Sequence, residues 1–232
     1  MIVFKFLLIC AMAAWAAWEV DGWVARLLLC WSAFAFFWLA LAYAARRPGW
    51  LFKDPASGRL RWPSWLLLGP YHTLNFVLME TVVRFSRENP CDEIVPGLWL
   101  GRRLVARDRA MACERDWAAV LDCTAEFREP DFLHPGDGLR YLNLRILDTG
   151  APTAGDIEAA VRFLCERQQS GPLYVHCAAG HGRSATLVAA YLMRRGLAAT
   201  MEDAEALIRE KRPGARLHGN QRRALRAWAG GG

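Results

Sequence analysis

Three features are missing from this chain of 232 residues, and each narrows what it can be. There is no even complement of cysteines: the count is seven, with Cys10 and Cys30 inside apolar stretches. A disulfide framework is therefore a poor reading, and reduced thiols on the cytoplasmic side fit better. The C-terminal part has no basic stripe, since residues 91–232 carry twenty Lys or Arg against eighteen Asp or Glu. That balance argues against a reader of nucleic acid. Formal charge is absent altogether from Leu27 to Ala45, nineteen residues in a row, which is unusual for a plain soluble domain. No internal repeat runs through the chain.

What is present agrees with the third absence. Hydrophobic residues make up 54% of the sequence, and eight of the eleven tryptophans fall before residue 66. The net charge of +6 is uneven, because residues 1–90 hold nine basic against five acidic side chains. The run Leu27–Ala45 has about the length that crosses a hydrocarbon core of roughly 30 Å. Phe6 to Trp18 is shorter, but Lys5 can snorkel to the headgroups and lengthen the span. With a turn around Glu19, Asp21 and Arg26, residues 1–47 read as a transmembrane hairpin. Lys5 before it and Arg46 and Arg47 after it place both ends in the cytoplasm. Residues 1–16 can also be read as a signal peptide ending at Ala14, Trp15 and Ala16; the second helix still delivers Arg46 and Arg47 inside. In the 48–90 linker, Trp62 to Met79 is apolar but holds Pro63, Gly69, Pro70, His72 and Asn75. With Arg59, Arg61, Arg84 and Arg87 on its flanks, it suits a helix lying in the membrane interface better than a third span.

Residues 91–232 are long enough for a core of their own. Ile94 to Gly101 reads as a strand with a turn at Pro96 and Gly97, followed by a helical stretch near 103–114. Trp117–Leu121 and Tyr141–Ile146 read as strands. Thr153 and Asp156 have capping-box spacing for a helix to about Gln168, and Thr200 and Asp203 repeat that spacing. Leu173–His176 is a continuous apolar strand, a helix runs from Ser184 to about Arg195, and a last one follows Asn220. Strands alternating with helices predict an α/β domain around a mostly parallel sheet, with its site at the strands' C-terminal ends. Cys113, Cys123 and Cys165 are read as small buried hydrophobes.

Between the strand ending at His176 and the helix starting at Ser184 lies a glycine-bearing loop headed by Cys177. Such a loop aims backbone N–H groups at one point, where the helix dipole adds positive potential. Phosphate is the natural guest, and the same field stabilises a thiolate. Arg183 can return a planar fork of donors to two phosphoryl oxygens, which Lys cannot copy. Gly180 and Gly182 permit the tight path.

His176, Cys177, Arg183 and Ser184 at this spacing resemble the signature of cysteine-dependent protein tyrosine phosphatases. The stretch from Ile94 to Trp228 resembles their compact dual-specificity branch. The resemblance implies that fold, with a central mostly parallel sheet flanked by helices, here preceded by two transmembrane helices. It also implies a phosphomonoester hydrolase that works without metal or cofactor. In it Cys177 is the nucleophile; Arg183 and the amides of Ala178, Ala179, Gly180, His181, Gly182 and Arg183 hold the phosphoryl group. Ser184 eases departure of the sulfur and His176 supports the loop from behind. The His181 side chain is read as facing solvent. Asp148 stands 29 positions before Cys177, where this family carries its general acid; Asp122 and Asp156 are weaker candidates, the latter better explained as a cap.

Thr124 to Glu129 resembles, imperfectly, the acidic-aromatic motif of mitochondrial-type phosphatidylglycerophosphate phosphatases, with Ala125 in place of an acid and Phe127 in place of a tyrosine. Ala178 and Ala179 stand where polyphosphoinositide phosphatases carry lysine, which favours a single phosphate on a small head group. The expected partners are thus the lipid bilayer and a phosphorylated lipid, or alternatively a phosphorylated protein. A catalytically idle phosphate-binding scaffold is disfavoured by the intact Cys177, Arg183 and Asp148.

Overall fold

The computed structural model describes residues 2–133 and 138–230. The chain forms two compact units, one of Met1–Asp54 with Arg59–Ser86 and the other of Pro55–Gly58 with Arg87–Gly232.

In the first unit, α1 (Ile2–Glu19) and α2 (Trp23–Ala44) are long and apolar enough to cross a membrane. Arg26 satisfies open carbonyls at the end of α1, donating from Nε to Ala17 O and from Nη2 to Val20 O. α3 (Trp62–Phe85) contains Pro70, and its helical geometry breaks at Leu68. Proline has no N–H, so the carbonyl four residues earlier loses its helical partner. That carbonyl is Leu66 O, and Trp31 Nε1–H on α2 donates to it at 2.7 Å. Gly69 lets the indole approach, since a Cβ there would lie 2.6 Å from the Trp31 ring.

The second unit is built on a five-stranded sheet in the order β1-β2-β5-β3-β4, formed by β1 (Cys91–Val95), β2 (Leu98–Arg102), β3 (Ala119–Asp122), β4 (Arg140–Asn143) and β5 (Leu173–Cys177). β1 is antiparallel to β2, and the other pairs are parallel. The segment Ile94–Gly101 is therefore not one strand. Pro96 and Gly97, the latter at φ +80°, fold it back into a hairpin. The helix expected over 103–114 is shortened to α4 (Arg109–Arg115), because Asp108 binds Val105 N–H and the Arg102 guanidinium in a preceding 3-10 turn.

Side chains alternate across the central strands. Leu121 and Val175 pack with α5 (Ala154–Arg167), α6 (Arg183–Arg194), α7 (Met201–Lys211) and α8 (Gly219–Ala229). Val120 and Tyr174 pack with Trp117 and Ala112 of α4 on the opposite face. Both capping boxes form, Thr153 with Asp156 on α5 and Thr200 with Asp203 on α7. Cys123 is buried, but Cys165 is only half-buried and Cys113 is exposed. α4 buries Ala112 and turns its next residue outward.

Candidate active site

β5 ends at Cys177 and α6 begins at Arg183, so residues 177–183 bridge the C-terminal end of a buried central strand and a helix N-terminus. The loop is tied from outside through its carbonyls. Ala178 O accepts Arg103 N–H, and His181 O accepts Arg216 N–H, each at 3.0 Å. Ala179 O and Gly180 O accept Nη2 and Nε of Arg212, whose side chain is fully enclosed. In a trans peptide the N–H of the next residue points opposite to each carbonyl. Four carbonyls drawn outward thus turn the amides of residues 179–182 toward the inside of the loop. Gly180 sits at φ +74°, and a Cβ there would collide with the Gly101 carbonyl. Only glycine fits.

Inside the loop lies the Cys177 sulfur. Gly180 N–H donates to Sγ at 3.3 Å and Ser184 Oγ–H at 3.2 Å. Burial alone would raise the thiol pKa. Arg183, the Ser184 hydroxyl and the amides of Ser184 and Gly180 outweigh it and hold the group below its ordinary value.

Arg183 is itself buried and held in orientation. Nη1 donates to Glu126 Oε2 at 2.9 Å and to Ile146 O at 2.9 Å, and Nη2 donates to Glu126 Oε1 at 2.7 Å. Glu126 thereby takes one edge of the guanidinium in a bidentate pair. The other edge, Nε–H with the second Nη2 hydrogen, is the fork that can meet a phosphoryl group. Asp148 Oδ1 stands at this end, 3.1 Å from Nη2, on a side chain half exposed to solvent. Asp148 follows β4 because the strand stops pairing at Asn143. The chain then curls, with Ile146 N–H bonding to Leu144 O.

Behind the loop, His176 Nδ1 is 3.3 Å from Cys177 O and Nε2 is 3.2 Å from Glu129 Oε2. The ring stacks on Tyr174 at 5.3 Å. Asp122, Glu129 and His176 have ligand atoms within 4.8 Å of one another and are all buried. Asp122 already accepts Thr124 N–H and Oγ1–H on Oδ1 and Tyr141 OH on Oδ2. Both Asp122 oxygens are thus engaged in hydrogen bonds.

The fold therefore brings Cys177, Arg183, Ser184, Asp148 and His176 together around residues 178–182. Asp122 lies in the support beneath, and Asp156 caps α5. The His181 side chain is partly exposed and paired with Glu88 at 2.7 Å. Sequence reasoning missed Glu126 as the anchor of Arg183, Glu129 as the neighbour of His176, and Arg212 as the tie on the loop. Glu126 and Glu129 had a usable signal, since their segment follows the C-terminal end of a predicted strand of a parallel sheet, where sites form. Arg212 had none.

The catalytic-domain model of the dual specificity phosphatases matches residues 98–230. Dual specificity protein phosphatase 26 of Homo sapiens is 36% identical over 109 residues, 45% of this chain and 52% of that protein, so the match spans about half the relative's length. Phosphatidylglycerophosphatase and protein-tyrosine phosphatase 1 of Homo sapiens is 46% identical over 59 residues, 25% of this chain and 29% of that protein. The solved structure of PTPMT1 superposes with a TM-score of 0.53 at 27% identity, covering 61% of this chain and 94% of that one. The family match takes in more than half of the chain, including the loop headed by Cys177, and on that ground the chain belongs to the cysteine-dependent dual specificity phosphatases.

Proposed function

We propose that the protein is a membrane-anchored phosphomonoester hydrolase that works through a phosphocysteine intermediate on a phospholipid head-group phosphate. The observation that carries the mechanism is the Cys177 sulfur, which receives two hydrogen bonds beside an Arg183 that Glu126 holds by the edge away from the substrate. In the first step the Cys177 thiolate forms a bond to phosphorus as the ester P–O bond breaks, and Asp148 gives the leaving oxygen its proton. The Arg183 fork and the inward amides receive the charge on the three equatorial oxygens. In the second step Asp148, now a carboxylate, takes a proton from water as its oxygen attacks phosphorus. The sulfur leaves as a thiolate, eased by the Ser184 hydroxyl, and orthophosphate is released.

A lipid substrate is supported by α1 and α2, by exposed Trp62, Phe76 and Phe85 on α3, and by the uncharged Ala178 and Ala179 at the start of the loop. The name of one relative states a phosphatidylglycerophosphatase. Lys5, Arg46 and Arg47 favour the cytoplasmic side for the catalytic unit. Anchored there, the site would meet a bilayer phosphomonoester at high effective concentration. A second reading, hydrolysis of phosphorylated proteins near the membrane, is favoured by the longer match to dual specificity protein phosphatase 26. Depleting the enzyme and comparing phospholipid with phosphoprotein profiles separates them. Accumulated phosphatidylglycerophosphate supports the lipid reading, and accumulated phosphoprotein with unchanged lipids supports the protein reading.

Asp148→Asn in the full-length protein should slow an alkyl phosphate by about 10²-fold or more. It should slow 4-nitrophenyl phosphate much less, because nitrophenolate leaves without a proton. Equal slowing of the two substrates, read from kcat/KM, which ends at cleavage of the ester bond and excludes the shared second step, would remove Asp148 from this role.

A further inference from the structure

The backbone just after Asp148 adopts a conformation its sequence does not favour. Gly150 N–H closes a turn on Leu147 O at 2.9 Å, with Asp148 and Thr149 at its two central positions. Thr149 has φ +58°. A β-branched residue enters the left-handed region only where its surroundings impose it.

Two side chains at the start of α8 impose it. Asn220 Nδ2–H donates to Thr149 O at 2.9 Å, and Gln221 Nε2–H donates to Gly150 O at 2.9 Å. Gln221 is fully buried, and its Oε1 accepts His218 N–H at 2.9 Å. The same Oε1 would lie 3.0 Å from a Cβ placed on Gly182. The Gln221 amide is thus wedged between the phosphate-binding loop and the turn that carries Asp148, while Asn220 grips that turn one residue nearer the carboxylate.

We propose that Asn220 and Gln221 are positioning residues, a clasp that fixes the Asp148 turn against the Cys177 loop so that the acid is presented to the leaving oxygen. This rests on the reading of Asp148 as proton donor. Neither side chain is asked to touch the substrate. Losing the clasp should therefore impair proton delivery and leave attack by sulfur intact.

The test uses the full-length protein in detergent and the ratio of kcat/KM for 4-nitrophenyl phosphate to kcat/KM for an alkyl phosphomonoester, which reads the first step alone. Asn220 is only half-buried, so Asn220→Ala and the isosteric Asn220→Asp, which cannot donate, are the informative variants. Each should raise the ratio on the order of tenfold, part of what general acid catalysis is worth, with kcat/KM for 4-nitrophenyl phosphate changed by less than about threefold. In an Asp148→Asn background the same substitutions should leave the ratio where Asp148→Asn put it, since residues acting through one group are not additive. If Asp148→Asn raises the ratio and neither Asn220 variant does, or if their effects multiply with that of Asp148→Asn, the clasp is overturned while the acid stands. A ratio unmoved by Asp148→Asn overturns the acid and the clasp with it.

Discussion

Cys177→Ser should lower turnover of the full-length protein by a factor on the order of 10⁴ or more with every phosphomonoester, aryl or alkyl. The substitution changes one atom and little volume, so the loop keeps its shape and phosphate still binds. What disappears is a thiol nucleophile whose pKa the loop lowers. A serine hydroxyl titrates far above any thiol, and the donors that lower the Cys177 pKa are insufficient for an alcohol. The sign of the pH dependence follows from the same shift. Because the Cys177 pKa is lowered, the acidic limb of kcat/KM should fall below the ordinary thiol range near 8.5. Alkylation of Cys177 by iodoacetate should slow as pH falls through that limb, with a midpoint below that of an ordinary thiol. An alkylation midpoint at or above the ordinary thiol value would contradict the electrostatics of the loop.

Arg183→Lys is expected to have the second largest effect, a loss of about 10²- to 10³-fold in kcat for aryl and alkyl substrates alike. The positive charge survives, but the fork does not. Glu126 holds Arg183 by two parallel bonds, and this leaves the opposite edge of a rigid plane for the phosphoryl oxygens. An ammonium is a point charge that would be drawn to Glu126 and could not span both partners. The variant should therefore bind orthophosphate weakly and turn over slowly. Wild-type kcat in Arg183→Lys would show that charge, not planar geometry, is what the site requires.

The two predictions draw on parts of the site that differed in how readily they could be read. His176, Cys177, Arg183 and Ser184 lie within nine residues, and a strand, a loop and a helix N-terminus are local structures, so residue type and spacing suffice to suggest an anion cradle. Asp148 was found through family resemblance together with its place after a predicted strand. Its orientation was out of reach, because Asn220 and Gln221, each 71 positions from its partner, set the turn. Glu126 meets Arg183 across 57 positions, and Arg212 reaches the loop carbonyls across 32 and 33. Such contacts exist only after the sheet has assembled. On the fold side, capping boxes at Thr153 and Thr200 marked the starts of α5 and α7 because a cap is a contact over three residues. At Pro96 and Gly97 the residues on both sides, Ile94 and Val95 before and Leu98 to Leu100 after, are apolar, so the sequence reads as one strand, and only antiparallel pairing separates the two arms of the hairpin.

A phosphoryl group that passes through a covalent bond to the Cys177 sulfur leaves an intermediate that can be observed directly. Ser184→Ala removes the hydroxyl bonded to the sulfur in the resting site, so it should slow the second step and let the intermediate accumulate. The decisive measurement is a rapid denaturing quench of full-length Ser184→Ala during turnover of 4-nitrophenyl phosphate, followed by mass spectrometry of the peptide containing Cys177. The expected result is a phosphoryl group on Cys177, absent when Cys177→Ser is added. Steady turnover with no phosphorylated Cys177 at any quench time, or with the phosphoryl group on another residue, would contradict it.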